Sequence, residues 1–472
     1  MSFLTRRKPL ELGAPEGASH LKKTLGWPHL LALGVGAIIG TGIYTLTGVA
    51  AGLAGPAVIL SFAIAGIICA GAALCYAEMA SLTPQAGSAY TYSYVTLGEG
   101  LAWIIGVGLI LEYTLVCSAV SVGWSGYASG LLRGWGTPEV FLNNGVVDIP
   151  AIFIALVVTG VLLLGTHESA TINFVLVCIK LTALAGFVVF TLPHFDAANF
   201  RPFAPFGLGA HEIAGGEAGK KYGMMGAAAI IFFAFYGFDA ISTAAEEAKN
   251  PKRDLTIAIL GSMALCTVIY MVIAACALGV VPYEPFSKSA EPLAYALQQL
   301  GQPVAAQIIA GAAVVAMPTV LMVFMFGQSR VFFAMARDGL LPRALARVDK
   351  RGVPTAVTLM TGVVAAIFAG LVPLDEIASL ANAGTLAAFI AVACAVMILR
   401  VRSPELARPF VTPLVWLVGP ATIIGCLYLF SSLQTKTMLF FLGANLIGAV
   451  FYLLYGRTKS RLATAEATVA RL

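Results

Sequence analysis

Apolar residues along this chain do not alternate; they run. Stretches of about 20 apolar residues, the length a helix needs to cross a bilayer core about 30 Å thick, recur from Leu30 onward between short polar or basic segments. Twelve spans are predicted, over 30–52, 57–80, 100–131, 150–165, 173–193, 223–241, 256–281, 303–334, 355–372, 382–400, 414–431 and 438–456. The third and eighth are the longest and would sit tilted. Residues 1–29 make a polar, basic tail, and Leu21 to Leu30 is expected to lie along the membrane surface as an amphipathic lead-in. Residues 457–472 make a second polar tail.

Two of these spans are interrupted. Span 1 carries G-V-G-A-I-I-G-T-G at Gly34 to Gly42, four glycines inside an apolar run. Glycine is a poor interior helix residue, and unwound backbone in lipid survives only where it is buried in protein or lines a cavity. A small-residue helix contact of the Gly-xxx-Gly kind is the alternative. Span 6 decides between them, because it too is broken, at Phe232-Phe233-Ala234-Phe235-Tyr236-Gly237-Phe238-Asp239. Spans 1–5 (30–193) and 6–10 (223–400) are of similar length. Five is odd, so the second unit enters from the opposite side. Interrupted spans at matching places in two halves point to a transporter's binding site.

The direction of each span says what its break offers. If span 1 runs outward, its outer half begins after Gly42, presenting free N–H groups and a positive dipole end suited to a carboxylate. Span 6 then runs inward. Its outer half ends near Phe233 to Tyr236 in free carbonyls suited to an ammonium group, with carbonyls of Ala37 to Ile39 added from span 1. At 1.5 Å per residue both breaks lie near the middle of the core. An α-amino acid is the simplest ligand carrying both groups. The geometry leaves an amine or a carboxylate alone open.

Composition agrees with a membrane protein. Charged residues are 11% and hydrophobic ones 59%, which no soluble chain of this length would show. The eight cysteines lie in apolar runs without a C-x-x-C pair and read as small apolar filler. No metal or cofactor is expected. The net charge of +5 is dispersed over loops and reads as topology, not nucleic-acid binding. Most of the 28 lysines and arginines fall on the N-terminal side of the predicted spans. Arg133, Arg201, Lys220, Lys221, Lys288 and Lys436 fall opposite. The expected orientation therefore places both termini in the cytoplasm of a multi-pass cell-membrane protein.

Three ionisable residues lie within spans, where a charge is costly and marks function by default: Glu112, Lys180 and, nearer the inner end, Asp239. Lys180 and Glu112 are at comparable depth and could pair, a structural salt bridge being the alternative to a functional role. A lysine kept from water holds its proton less tightly. Lys180 could hold span 5 against span 1 when charged and release it when neutral, as a bound Na⁺ does in other carriers. H⁺ is thus the expected coupling ion, with Lys180 or Glu112 carrying it. Asp239, Glu246 and Arg330 are candidates for a cytoplasmic gate, with Arg337 and Asp338 capping span 8 beside Arg330. Glu247 and the charges at 249–254 read as solvated. Glu112 and Met325 are candidate pocket walls, with Tyr236 another.

Four stretches are familiar: G-A-I-I-G-T-G-I-Y at 36–44, G-F-D-A-I-S-T-A-A-E-E-A-K-N-P at 237–251, S-R-V-F-F-A-M-A-R-D-G-L-L-P at 329–342, and R-P-F-V-T-P at 408–413. On these the chain resembles the amino acid–polyamine–organocation transporter superfamily, and within it the bacterial relatives of the cationic amino acid transporters. The resemblance implies the leucine-transporter-like fold, two inverted five-helix repeats plus spans 11 and 12 (414–456), and alternating access with the ligand between spans 1 and 6. It implies that Thr41 and Gly42, with neighbouring Ile39 and Gly40, take the substrate carboxylate. Phe233, Ala234 and Tyr236, with Ile38, would take the amino group, and Lys180 would be the lysine of proton-coupled members. Glu112 is the one acid near the pocket, so small or medium neutral amino acids are expected ahead of arginine or lysine. An amino-acid exchanger and a cationic amino acid transporter are the alternatives, and an amino-acid sensor is the rival from another class, disfavoured by the short tails. An intramembrane enzyme would need an aspartate pair or H-E-x-x-H, and neither is present. Spans 11 and 12 leave lipid, a second copy of the chain or a small accessory membrane protein open as partners.

Overall fold

In the computed structural model, the structure describes all residues except 1–5, 10–20, 41, 135, 139–146, 214–219, 290, 373, 432, 434 and 465–472. The described residues are helical, joined by turns. Among the described residues, eight helical stretches are long and apolar enough to cross a membrane, the first being the interrupted 56-residue stretch Trp27–Leu82. Three shorter apolar helices, Ile149–Leu164, Thr355–Leu371 and Val415–Ser431, stand beside them. The chain is all-α and polytopic, as its apolar runs require.

The first stretch is three pieces. Helix α1 (Trp27–Ile38) stops where Ile39 turns extended, at φ −78° and ψ 99°. A single π-helical turn, Gly42–Leu46, leads into α2 (Thr47–Ala54). Gly55, at φ 62°, and Pro56 then turn the chain into α3 (Val58–Leu82). A short helix, α4 (Ala89–Thr96), precedes α5 (Glu99–Gly134), which at 36 residues is long enough to cross obliquely. Helices α6 (Ile149–Leu164) and α7 (Thr166–Thr191) follow.

The second interrupted span is also in pieces. Helix α8 (Met224–Ile231) tightens into a 3₁₀ turn at Phe232–Phe235. Tyr236 is extended, Gly237 takes φ 120°, and α9 (Phe238–Ile241) resumes the span. Helix α10 (Pro251–Val280) returns, α11 (Tyr283–Ser287) and α12 (Pro292–Gln299) make a short hairpin, and α13 (Pro303–Arg337) is the second long helix. Helices α14 (Thr355–Leu371), α15 (Leu374–Arg402), α16 (Val415–Ser431) and α17 (Thr435–Phe451) complete the described bundle.

Burial separates core from periphery. The most apolar window of Met224–Glu247 is 83% buried, that of Thr437–Thr464 only 17%. On α17, Leu439, Leu442, Leu446 and Ile447 are all exposed, a surface only lipid or another apolar partner would cover. The broken spans therefore sit at the centre, where irregular backbone is tolerated.

The lead-in at 21–30 departs from expectation. It does not form a surface helix. Thr24 and Leu25 both donate their N–H to Glu247 O at 3.0 Å, Lys249 donates to Leu25 O at 2.7 Å, and Leu25 is fully buried. The free backbone past the second broken span takes the tail as a single bridge between Leu25 and Ala248, which satisfies polar groups a surface helix would leave open.

Candidate functional site

The two breaks interlock through glycine. A Cβ at Gly42 would lie 2.5 Å from Ala234 Cβ, and one at Gly237 would lie 2.3 Å from Ala37 Cβ. Each break thus presses a glycine against an alanine of the other, and Gly237 also holds a backbone conformation that favours glycine. At Gly40 a Cβ would meet Val320 of α13 at 2.3 Å. These contacts bring two discontinuous helices to backbone distance.

A small cavity lies where they meet, with a volume of about 10 Å³, enough for about one water. The first break contributes Ala37, Ile38, Gly40 and Gly42, and the second Phe233 and Tyr236. The remaining wall is Val116 and Val120 of α5 with Val320 and Phe324 of α13. Among the described residues, the N–H groups of Gly40 and Gly42 take no backbone partner. The carbonyls of Ile38 and Ala234, one from each break, share the hydroxyl of Tyr270 on α10.

Lys180 is fully buried on α7 and reaches the first break. Its ammonium donates to Gly36 O at 2.9 Å, Ile39 O at 2.6 Å and Thr319 Oγ1 at 2.8 Å. The two carbonyls are at the end of α1, where the helix dipole is negative and a cation is favoured. Thr319 bonds Gly36 O in turn at 2.9 Å. The second break is capped by the opposite charge. Asp239 Oδ1 accepts from Gly237 N–H at 3.1 Å, and Oδ2 accepts from Tyr113 OH at 2.7 Å.

Several expected neighbours separate. Glu112 does not pair with Lys180; its carboxylate faces Gly384 of α15, outside the cavity wall. Met325 turns its sulfur to Thr159 Oγ1 of α6 at 3.7 Å and leaves the wall to Val320 and Phe324. Residues four apart share a helix face, and Met325 lies one step of about 100° round from Phe324. Ile39 and Ala234 stand behind the wall and offer carbonyls to Lys180 and Tyr270. Asp239 takes no basic partner among the described residues, because it spends its oxygens on Gly237 and Tyr113. Thr41 lies outside the described residues.

The end of the bundle at the C-terminus of α13 holds a set of ion pairs. Arg330 grips Glu247 at 2.8 Å, with both side chains buried, and lies over the Phe326 ring at 3.7 Å. Glu246 instead accepts from Arg337 Nη1 at 2.8 Å and from the N–H of Ala86 at 2.9 Å. Asp338 holds Lys8 at 2.8 Å and Tyr90 OH at 3.0 Å. Glu78 holds Arg400 at 2.8 Å, Arg408 at 3.2 Å and the N–H of Thr412 at 2.8 Å. Glu247, read from sequence as solvated, is thus a buried ion-pair partner. Sequence reasoning also missed Tyr270, Thr319, Val320 and Phe324. The available signal was a hydroxyl inside an otherwise apolar run, at Thr319 and Tyr270.

Comparison with known proteins turns this geometry into an identity. Residues 25–455 match the amino acid permease family. The chain belongs to that family. It lies within the amino acid–polyamine–organocation superfamily and has relatives among the cationic amino acid transporters. A Bacillus subtilis protein named branched-chain amino acid permease is 42% identical over 97% of this chain and 98% of its own length. A Bacillus subtilis protein named methylthioribose transporter is 40% identical over 98% of this chain and all of its own length. An Arabidopsis thaliana protein named vacuolar cationic amino acid transporter 2 is 38% identical over 85% of this chain and 64% of its own length. The permease is a multi-pass membrane transporter and not an enzyme, and amino acid transport is the function its family carries.

Proposed function

We propose that the permease carries L-amino acids across the cell membrane by alternating access, coupled to H⁺, with small or medium neutral side chains ahead of cationic ones. The observation that carries this reading is the pairing of complementary backbone ends on one cavity. The N–H groups of Gly40 and Gly42, which take no backbone partner among the described residues, would take the carboxylate. The carbonyl end at Phe233 to Tyr236, with Ile38, would take the ammonium group. In this scheme Thr41 would stand among the carboxylate donors.

The wall supports the substrate class. Val116, Val120, Val320 and Phe324 are apolar, and among the described residues no ionisable carboxyl or amine lines the cavity. A cationic side chain would enter with nothing to pair its charge, which is costly in such surroundings. The cavity is far smaller than an amino acid, so the two breaks and their walls must part to admit one.

Lys180 supports the coupling. Charged, it fills three acceptors and ties α7 and α13 to α1. Neutral, it has fewer protons to donate and no attraction to the α1 dipole, so span 1 is freed to move. The inner ion pairs, with Glu246, Glu247, Arg330 and Arg337, would close the cytoplasmic side. In this reading Asp239 holds the shape of break two, not a charged gate. Twelve crossings, in repeats at 30–193 and 223–400 followed by 414–456, and both termini in the cytoplasm complete the scheme.

The test is competition. Purified permease in proteoliposomes, in Na⁺-free buffer with an inward proton gradient, should take up labelled alanine and be inhibited by leucine more than by arginine or methylthioribose. Arginine as the stronger inhibitor would overturn the substrate assignment. Inhibition by methylthioribose alone would overturn amino acid transport itself.

A further inference from the structure

Tyr236 is the most conspicuous residue at the cavity. It lines the wall, it is extended between the 3₁₀ turn and Gly237, and it is 2% exposed. Its ring lies 5.1 Å from that of Phe233 and 5.4 Å from that of Phe232. Its hydroxyl does not point to solvent or to its own span. It donates to Oδ1 of Asn382 on α15, a helix that contributes nothing to the cavity lining. Asn382 is itself 7% exposed. One helical turn on, Thr385 stands beside both Tyr236 and Glu112.

A phenol ring whose position is set only by ring contacts has many orientations of similar energy. A buried hydroxyl bonded to a fixed acceptor has one, because leaving it unpaired in a dry interior costs more than the bond itself is worth. Asn382 is anchored on a long, regular helix, so the bond transmits the position of α15 to the cavity wall. Swinging the ring away is the direct way to enlarge a cavity this small.

We propose that Asn382 is a positioning residue for substrate specificity: by holding the Tyr236 hydroxyl it fixes how far the Tyr236 ring intrudes into the cavity, and so limits the size of side chain the permease accepts. This rests on the amino acid transport reading above. Span 10 thereby reads the substrate without touching it. The ligand class affected is the neutral α-amino acid series graded by side-chain size, from alanine to leucine and methionine.

The test is a substrate profile. Initial uptake of alanine and leucine is measured in proteoliposomes for wild type, Asn382→Leu, Asn382→Asp, Tyr236→Phe and the double variant Asn382→Leu/Tyr236→Phe. Asn382→Leu should raise the ratio of kcat/KM for leucine over alanine by about tenfold, within the range that a difference of one or two methylenes in a pocket supports. Tyr236→Phe, which keeps the ring and the fold and removes only the hydroxyl, should shift the ratio in the same direction. The double variant should match the single ones, since both remove one bond. Asn382→Asp keeps an acceptor oxygen and should keep the wild-type ratio. A ratio unchanged in both Asn382→Leu and Tyr236→Phe, or shifts that add in the double variant, would overturn the proposal while leaving transport intact. A wild type that transports no α-amino acid would overturn the transport reading and this proposal together.

Discussion

At the first break the end carbonyls of α1 are taken by an ammonium group from another helix: Lys180 on α7 bonds Gly36 O and Ile39 O. At the second the leading N–H is taken by a carboxylate from the same strand of chain: Asp239 bonds Gly237 N–H two residues back. Both charges suit the dipole end they cap. The difference lies in reach. The leading N–H of the second break is capped from within its own span, and Tyr113, Tyr270 and Asn382 brace that break from other helices through hydroxyls and an amide, none of which carries a charge. The first is held across 141 residues of sequence by a side chain whose charge depends on one proton. In the proposed scheme the element that changes with protonation is the first break, and the second keeps a fixed shape.

Breaking the interlock itself should have the largest effect. Gly237→Ala places a Cβ 2.3 Å from Ala37 Cβ and 2.9 Å from its carbonyl carbon, in a backbone conformation that L side chains rarely adopt. The strain alone is about 1–3 kcal/mol, and backbone must shift to relieve the clash. Uptake per unit of folded protein should be lost. Gly42→Ala, 2.5 Å from Ala234, should do the same by the same measurement. Near wild-type uptake in either would mean the two breaks do not bear on each other.

The next largest effect is expected at the ion pairs near the C-terminal end of α13. Glu247→Gln leaves Arg330 buried without its anion, a change worth about 3–5 kcal/mol. A fall in the thermal unfolding midpoint is the outcome to look for. Tyr270→Phe removes the hydroxyl shared by Ile38 O and Ala234 O. It should cost about 1–3 kcal/mol, read as a lower unfolding midpoint and a raised KM. The smallest effect is predicted at Asp239→Asn. The amide oxygen can still accept from Gly237 N–H, so uptake should fall only a few-fold, by about 1 kcal/mol, and its dependence on the pH gradient should persist. Loss of gradient dependence in that variant would move the titrating group from the first break to the second.

Much of this was legible in sequence for a physical reason. A membrane span cannot hide a glycine cluster or a buried charge, so Gly34 to Gly42, Tyr236-Gly237, Lys180 and Glu112 all stand out from an apolar background. Rotation about a helix axis does not stand out. Val320, Phe324 and Met325 are all apolar, and which of them faces the cavity depends on the phase of α13, set by packing over 35 residues. Adjacent residues at a helix end are equally ambiguous. Glu246 and Glu247 sit on one 3₁₀ turn and diverge to Arg337 and Arg330. Similar depth in the membrane also does not mean contact: Lys180 and Glu112 face different helices, α1 and α15.

The central claim is that proton release at Lys180 frees the first break. The most direct measurement is uptake of labelled alanine into proteoliposomes in Na⁺-free buffer, with and without an inward pH gradient, for wild type and Lys180→Ala. The account predicts gradient-driven accumulation by wild type. It predicts loss of that accumulation in Lys180→Ala, with exchange of internal for external alanine retained at a reduced rate. Wild-type uptake indifferent to the gradient but dependent on internal amino acid, or gradient-driven accumulation that survives in Lys180→Ala, would contradict it.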